Sequence, residues 1–164
     1  MKIRKAKVSD LKDIILAQKE GWIFAHVSDE YNITEEDILK HLGPDEDLER
    51  RFKKFIEGGT PYYVVEVDGK VMGYCGCYQK DDYWTGAIYL RPSIIGNGIG
   101  MKLFPKMLED IGEGNVFVVE IAEYNTRSIS LFEKLGFELQ KEKVNYVLNG
   151  SKKEIPLVIM RRVI

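Results

Sequence analysis

Between a β-rich run ending at Leu90 and an amphipathic stretch with Phe104, Met107, Leu108 and Ile111 on one face, the chain reads Ile95-Gly96-Asn97-Gly98-Ile99-Gly100. Three glycines at alternate positions demand a tight strand-to-helix passage, because glycine tolerates backbone conformations that a side chain forbids. They also let the backbone approach an anion closely, with the first helical N–H groups and the positive end of the helix dipole facing it. On the glycines alone, an anion cradle and a plain tight turn both remain open. Two other phosphate loops are excluded. A Walker-type loop needs Gly-Lys followed by Ser or Thr, and a dinucleotide fingerprint needs a third glycine where this chain has Met101. The latter also needs parallel βαβ flanks, whereas the residues ahead of this loop read as hairpins.

The elements around the loop follow from periodicity and punctuation. Residues 2–8 read as an opening strand, with Ser9 as the cap of a helix whose stripe Leu11, Ile14, Ile15 runs toward Gly21. Thr34 followed by Glu35, Glu36 and Asp37 starts a second helical region, which Gly43-Pro44 interrupts and Leu48, Phe52, Phe55 and Ile56 continue up to Gly58-Gly59. The period then changes to two. Tyr62–Val67 and Val71–Tyr78 are strands joined at Asp68-Gly69, and Asp81-Asp82 turns the chain into Trp84–Leu90. Pro105 removes a donor inside the following helix, where a proline can introduce a kink. Val116–Ile121 reads as a buried strand, Asn125–Leu135 as a short helix closed by Gly136, and Lys143–Leu148 and Ile155–Val163 as two last strands around Asn149-Gly150-Ser151. The order β-α-α-β-β-β-α-β-α-β-β makes one α+β domain over 1–164, with a mixed, mostly antiparallel sheet flanked by helices.

Charge narrows the partners. With 24 Lys+Arg against 26 Asp+Glu the formal charge is −2, which argues against a nucleic-acid binder. That sum hides a split: residues 28–49 carry nine acids and one base, a net −8, and the rest of the chain is +6. The two cysteines, Cys75 and Cys77, lie two apart on one strand. They point to the same face, a poor geometry for a mutual disulfide, and with only His26 and His41 they make no zinc site. They read as thiols in a reducing compartment. Met1-Lys2-Ile3-Arg4-Lys5 lacks the apolar core of a secretory signal, and no stretch of 18 apolar residues occurs, so a cytoplasmic chain without membrane contact is expected.

The residues around the glycines resolve the ambiguity left by the loop. Leu90-Arg91-Pro92-Ser93-Ile94-Ile95-Gly96-Asn97-Gly98-Ile99-Gly100 resembles the acetyl-CoA pyrophosphate loop of the GNAT-superfamily N-acetyltransferases. Downstream, Asn125-Thr126-Arg127-Ser128-Ile129-Ser130-Leu131-Phe132-Glu133-Lys134-Leu135-Gly136-Phe137 is similar to that family's second block, and the Asp68-Gly69-Lys70 hairpin before Gly73 is also in place. The resemblance implies transfer of an acetyl group from acetyl-CoA, as co-substrate and without a metal, to a primary amine by direct attack in a ternary complex. Ile95, Gly96, Asn97, Gly98, Ile99 and Gly100 would hold the diphosphate. Ile88, Tyr89 and Leu90 would meet the pantetheine arm and the thioester, and the Leu90 N–H would face the carbonyl oxygen. Asn125 would bond the pantetheine or cap its helix. Arg127, with Lys102 and Lys134, would meet phosphates.

Two residues depart from the family pattern. Ile95 stands where a Gln or Arg is usual, which removes one side-chain contact to the diphosphate. Phe132 stands where many members carry the tyrosine that protonates the departing thiolate, and a phenyl ring cannot donate a proton. A positioned acid contributes about 10²–10⁴-fold, although a thiol of pKa near ~8.5 leaves tolerably at neutral pH. Ser128, one turn before Phe132, or Tyr124 could take its place, and Phe132 also reads as core packing.

Amines titrate near ~10, so a base must remove a proton before attack. Glu120 is preferred among Glu120, Glu123, Asp81, Asp82 and His26. Trp22 and His26, in an aromatic stretch, would line the acceptor pocket. The acidic segment beside that pocket suggests cationic acceptors such as polyamines, aminoglycosides or protein amines. A monomer or homodimer is expected. The alternative function is a non-catalytic acyl-CoA-binding sensor, which the two departures favour.

Overall fold

A computed structural model describes all residues, 1–164. Seven strands form one sheet in the order β1-β2-β3-β4-β5-β7-β6. They are β1 (Lys2–Lys5), β2 (Tyr62–Val67), β3 (Lys70–Lys80), β4 (Tyr83–Leu90), β5 (Val116–Ala122), β6 (Glu138–Val147) and β7 (Glu154–Val163). Every neighbouring pair is antiparallel except β4 with β5. The helices are α1 (Leu11–His26), α2 (Glu35–Leu42), α3 (Asp45–Glu57), α4 (Ile99–Ile111) and α5 (Thr126–Lys134). The α+β class and the mixed, mostly antiparallel sheet are as expected. No helix is long and apolar enough to cross a membrane.

Alternation along the strands splits the core into two layers. On one face, Tyr63, Val65, Cys75 and Cys77 pack with Leu103, Phe104 and Met107 of α4 and with Phe132 of α5. On the other, Tyr62, Val64 and Tyr74 pack with Ile14 of α1 and with Leu48 and Phe52 of α3. A third cluster joins Ile38 of α2 to Leu148, Ile155 and Leu157 of the β6–β7 hairpin. Both cysteines are free and buried, and burial pushes the Cys77 thiol up to about 12.

Several local expectations need correction. The turn into α1 is closed by Asp10 rather than Ser9. The Asp10 carboxylate accepts the Lys7 N–H at 2.8 Å and grips the Arg4 guanidinium at 2.7 and 2.9 Å. The opening strand accordingly stops at Lys5. Gly21 does not end α1, which continues to His26. A Cβ on Gly21 would lie 2.8 Å from Tyr89 Cβ, so this glycine exists for helix-to-sheet contact. The stop read at Gly43-Pro44 is present and divides the acidic region into α2 and α3, one helix more than the expected element order counts, because Pro44 cannot continue α2 and Gly43 turns the chain at φ +76°. Pro105 lies inside α4, which runs unbroken from Ile99 to Ile111 and is held by fully buried Leu103, Phe104 and Met107. Strand β6 begins at Glu138 rather than Lys143. Its first residues are mostly polar and exposed, and its register against β7 shifts between Leu139 and Lys143.

Other local features are as read. Thr34 and Asp37 form a reciprocal cap, with Thr34 N–H to Asp37 Oδ2 at 2.8 Å and Asp37 N–H to Thr34 Oγ1 at 3.2 Å. Asp68 (φ +49°) and Gly69 (φ +75°) make the tight β2–β3 turn.

Candidate active site

β4 and β5 touch only at Trp84–Phe117 and Thr85–Val118 and then diverge. The wedge between them opens a cavity of about 450 Å³, lined by residues 86–90 of β4 and 119–122 of β5. Its volume lies within the range of small-molecule sites, roughly 300–1,000 Å³. The splay leaves backbone donors exposed. Arg91 N–H bonds Met72 O at 2.9 Å, on the β3 side. Consecutive N–H groups along a strand point to opposite edges, so the Leu90 and Ile88 N–H groups face the wedge.

The glycine loop forms the far end of the cavity. Gly96 (φ +91°) and Gly98 (φ +70°) sit in the left-handed region with open space around them, so conformation is what requires glycine there. Gly100 differs. A Cβ there would lie 2.9 Å from Leu131 Cδ2, so its role is to let α4 approach α5. Ile95, Gly96, Gly98, Ile99, Gly100 and Met101 all line the cavity, which places the unbonded N–H groups of the α4 N-terminus against it. Asn97 does not line it; its side-chain amide donates to Ile94 O at 3.2 Å and braces the turn.

α5 supplies the opposite wall. Asn125 Oδ1 accepts the Ser128 N–H at 3.2 Å, so it caps the helix while also lining the cavity. Arg127, Ser128, Phe132 and Lys134 line it too. Lys102 does not. The Arg127 guanidinium lies 5.7 Å from the ring centre of Phe24, so α5 and α1 meet across the cavity. Phe132 is 4 % exposed and packs edge-on against Phe104 (5.0 Å) and Phe137 (5.1 Å), so its role in the core is plain. No group of three or more His, Cys, Asp or Glu is arranged to hold a metal ion.

Several candidate residues are engaged elsewhere. Tyr124 does not line the wedge: its hydroxyl donates to His26 O at 2.6 Å and its ring stacks on Tyr31. Burial, with Tyr31 adding, pushes that hydroxyl up to about 12. Glu123 pairs with Lys143, and Asp81 and Asp82 sit at a hairpin tip away from the wedge. His26 lines the wedge with Nδ1 3.0 Å from Trp22 O. Burial lowers its pKa to about 4, His41 also lowering it, so the ring is neutral at pH 7 and a weak base.

Trp22 belongs to a second cavity of about 370 Å³, on the α1/α3 face of the sheet. Gly86, Ala87, Tyr89 and Glu120 line both cavities, so the two meet where β4 leaves β5. Glu120 alternates with inward-facing Val119 and Ile121 and therefore presents its carboxylate to this second face. Aromatic rings form much of the wall. Phe55 lies nearly parallel to Tyr62 (14°) and to Tyr78 (18°), and Tyr62 to Tyr74 (5°). Arg51 also lines this cavity, while none of the nine acids of residues 28–49 lines either one. Four of those acids are paired: Glu36 with Lys40, Asp37 with Lys153, Asp45 with Lys19 and Asp47 with Arg50. The sequence reading missed Phe24, Met101 and Arg51, because nothing local marks them off from their neighbours.

Comparison with known proteins places the chain among relatives. Residues 24–137 match the model of the Acetyltransferase (GNAT) family. Over 123 residues the chain is 28 % identical to the uncharacterized N-acetyltransferase YjgM of Escherichia coli (strain K12), covering 71 % of this chain and 72 % of that protein. It is 27 % identical over 153 residues to the thialysine N-epsilon-acetyltransferase of Bos taurus, with 82 % of each covered. The fold is shared with a GNAT-superfamily phosphinothricin acetyltransferase from Sinorhizobium meliloti solved in complex with AcCoA. That match has a TM-score of 0.76 at 24 % identity and covers 99 % of this chain and 88 % of the other.

Proposed function

The chain belongs to the GNAT family of acetyl-CoA-dependent N-acetyltransferases, and from that premise we propose that it acetylates a primary amine by direct attack in a ternary complex. The observation that carries this reading is the wedge itself: one cavity faces both the free N–H groups of β4 and the α4 N-terminus, and it meets a second cavity at Glu120. The residues fit a diphosphate-bearing thioester. Backbone donors of Gly98, Ile99 and Gly100, with Arg127 and Lys134, suit the diphosphate, and Ile95 adds only apolar surface. The β4 edge at Ile88, Tyr89 and Leu90 suits the extended arm, with Asn125 at its side. When bound, acetyl-CoA supplies a thioester carbonyl whose carbon forms a C–N bond with the amine as its C–S bond breaks, the electron pair leaving on sulfur.

The chain's own residues handle charge and protons. The Leu90 N–H stabilises negative charge developing on the carbonyl oxygen. Glu120 takes the proton that the amine must lose. Ser128 stands nearest in role to the missing acid, because its helix position places it on the cavity wall one turn before Phe132. Tyr124, engaged with the His26 carbonyl, does not fill that role. His26, neutral and buried, shapes the wall between the two cavities with Trp22.

The test has two parts. Calorimetry with acetyl-CoA should give saturable binding, and CoA-thiol release should then appear with an amine acceptor. Absence of heat at millimolar acetyl-CoA refutes the reading. Binding without thiol release across a broad amine panel would favour the non-catalytic sensor.

A further inference from the structure

The second cavity is lined by two side chains of opposite type that form no ion pair within the protein. Arg50 pairs with Asp47 at 3.0 Å, but Arg51, beside a segment carrying nine acids, makes no ion pair. Glu120 makes none either, and the two do not pair with each other. A cation and a carboxylate therefore line one aromatic-walled cavity of about 370 Å³ with room between them. A third group points the same way. Trp22 lines this cavity, and its Nε1 is the one buried side-chain nitrogen or oxygen in the protein without a hydrogen-bond partner. An unmet buried donor is costly, and a ligand acceptor atom would satisfy it. The field of Arg51 reaches deep into the cavity wall, where it eases ionisation of the Tyr62 and Tyr74 hydroxyls against the larger effect of burial.

Resting on the acetyl-transfer reading, we propose that this cavity selects an amine that also carries a carboxylate and a flat apolar body, the carboxylate on Arg51 and the amine at Glu120. Phe55, Tyr62 and Tyr78 give the cavity an aromatic wall for the apolar part. Transfer is the step already written: the amine nitrogen bonds the acetyl carbon, its proton goes to Glu120, and the thiolate leaves. Polyamines and aminoglycosides are the wrong class for this cavity, because their extra positive charges face Arg51 without a carboxylate to meet them. The acidic segment does not alter that, since none of its acids lines the cavity.

The test uses matched pairs: phenylalanine against phenethylamine and tyrosine against tyramine, with spermidine as the polycation, each assayed by CoA-thiol release at fixed acetyl-CoA. The amino acid of each pair should have the higher kcat/KM by about 10–100-fold, the range expected of a charge-assisted contact that its partner lacks. In Arg51→Met the ratio within each pair should fall to about 1, chiefly through KM of the amino acid. Arg51 is an exposed surface residue, so the variant should fold. Calorimetry of the same amines into CoA-saturated protein covers the case of slow turnover. Preference for the decarboxylated amines or for spermidine overturns the inference. So does a ratio unchanged in Arg51→Met, or no binding of either amino acid at 10 mM order of concentration. Those outcomes leave acetyl-CoA binding intact, whereas failure of acetyl-CoA itself to bind refutes the transfer reading.

Discussion

Replacing Gly86 with alanine puts a methyl group where two central strands leave no room for one. An ideal Cβ at this position would sit 2.2 Å from Gly76 O, 2.8 Å from Cys77 Cα and 2.9 Å from Cys77 Cβ. Carbon–oxygen contacts settle near roughly 3.3–3.6 Å, so the two strands must part by about 1 Å. The obstacles include backbone atoms of β3, held to β4 along eight paired positions, and no rotamer change relieves them. Overpacking of this kind costs about 1–3 kcal/mol, and the upper end applies where backbone must move. Alanine's smaller unfolded-state entropy returns somewhat under 1 kcal/mol, leaving a net loss of about 2 kcal/mol. For a chain of this size that is a drop in Tm of about 4–8 °C. Gly86 also lines both cavities at the point where β4 departs from β5. A displacement of about 1 Å there should lower kcat/KM by at least about 10-fold. Urea unfolding and CoA-thiol release measure the two effects. A Gly86→Ala protein within 0.5 kcal/mol order of wild-type stability, with both KM values unchanged, would show that the steric reasoning at the splay point is wrong.

Three further outcomes are expected. Asp10→Asn should lower stability by about 1–2 kcal/mol in urea unfolding, because it leaves the Arg4 guanidinium with Glu66 as its one carboxylate partner and weakens the turn into α1. His26 titrates near 4 in the fold against 6.5 for the free side chain, so the unfolded chain binds the extra proton. Its contribution to stability is complete above about pH 6.5 and is lost as pH falls toward 4, and the urea midpoint of His26→Gln should vary less over that window. Tyr124→Phe should cost about 1 kcal/mol by leaving the His26 carbonyl unbonded, while kcat stays within about twofold; a loss of the size expected of a general acid, about 10²-fold or more, would return Tyr124 to the chemistry.

What could be read from the chain alone was what adjacent residues determine. The Thr34–Asp37 cap closes within one turn of helix, and the Asp68-Gly69 hairpin depends on two residues with positive φ. The loop from Ile95 to Gly100 is likewise a local backbone device, so its tight strand-to-helix passage was legible before any packing was known. Gly21 was read as a helix end because its reason, the Tyr89 ring, arrives from a distant strand. β6 was half hidden because a strand at the sheet edge, exposed over most of its length, carries no alternation to read. The wedge cavity draws on contiguous runs and was largely anticipated. The second cavity draws scattered residues from α1, α3, β2, β3, β4 and β5, with no run longer than Thr85-Gly86-Ala87 to outline it in the sequence.

Charge shows the same divide between local pattern and three-dimensional placement. A net −8 over residues 28–49 beside an aromatic stretch suggests attraction of cationic acceptors. In the fold, Asp37 is tied to Lys153 at 2.7 Å and joins α2 to the start of β7, which holds its carboxyl down at about 2, the Lys153 hydrogen bond being the main cause. Asp45 ties α3 to Lys19 of α1. These acids organise helices, and the rest face outward without lining a cavity. The one charge that α3 does present to the second cavity is positive, at Arg51, directly before buried Phe52 on the helix. A helix whose sum is acidic thus offers a cation at the place where selection would occur. Net charge over a segment governs encounter at a distance, where screening sets in beyond roughly 8–10 Å. Specificity is decided by the few groups that lose water against the ligand. On the acceptor reading proposed above, the relevant charges are Arg51 and Glu120, one of each sign, and a polycation would fit them worse than an amino carboxylate.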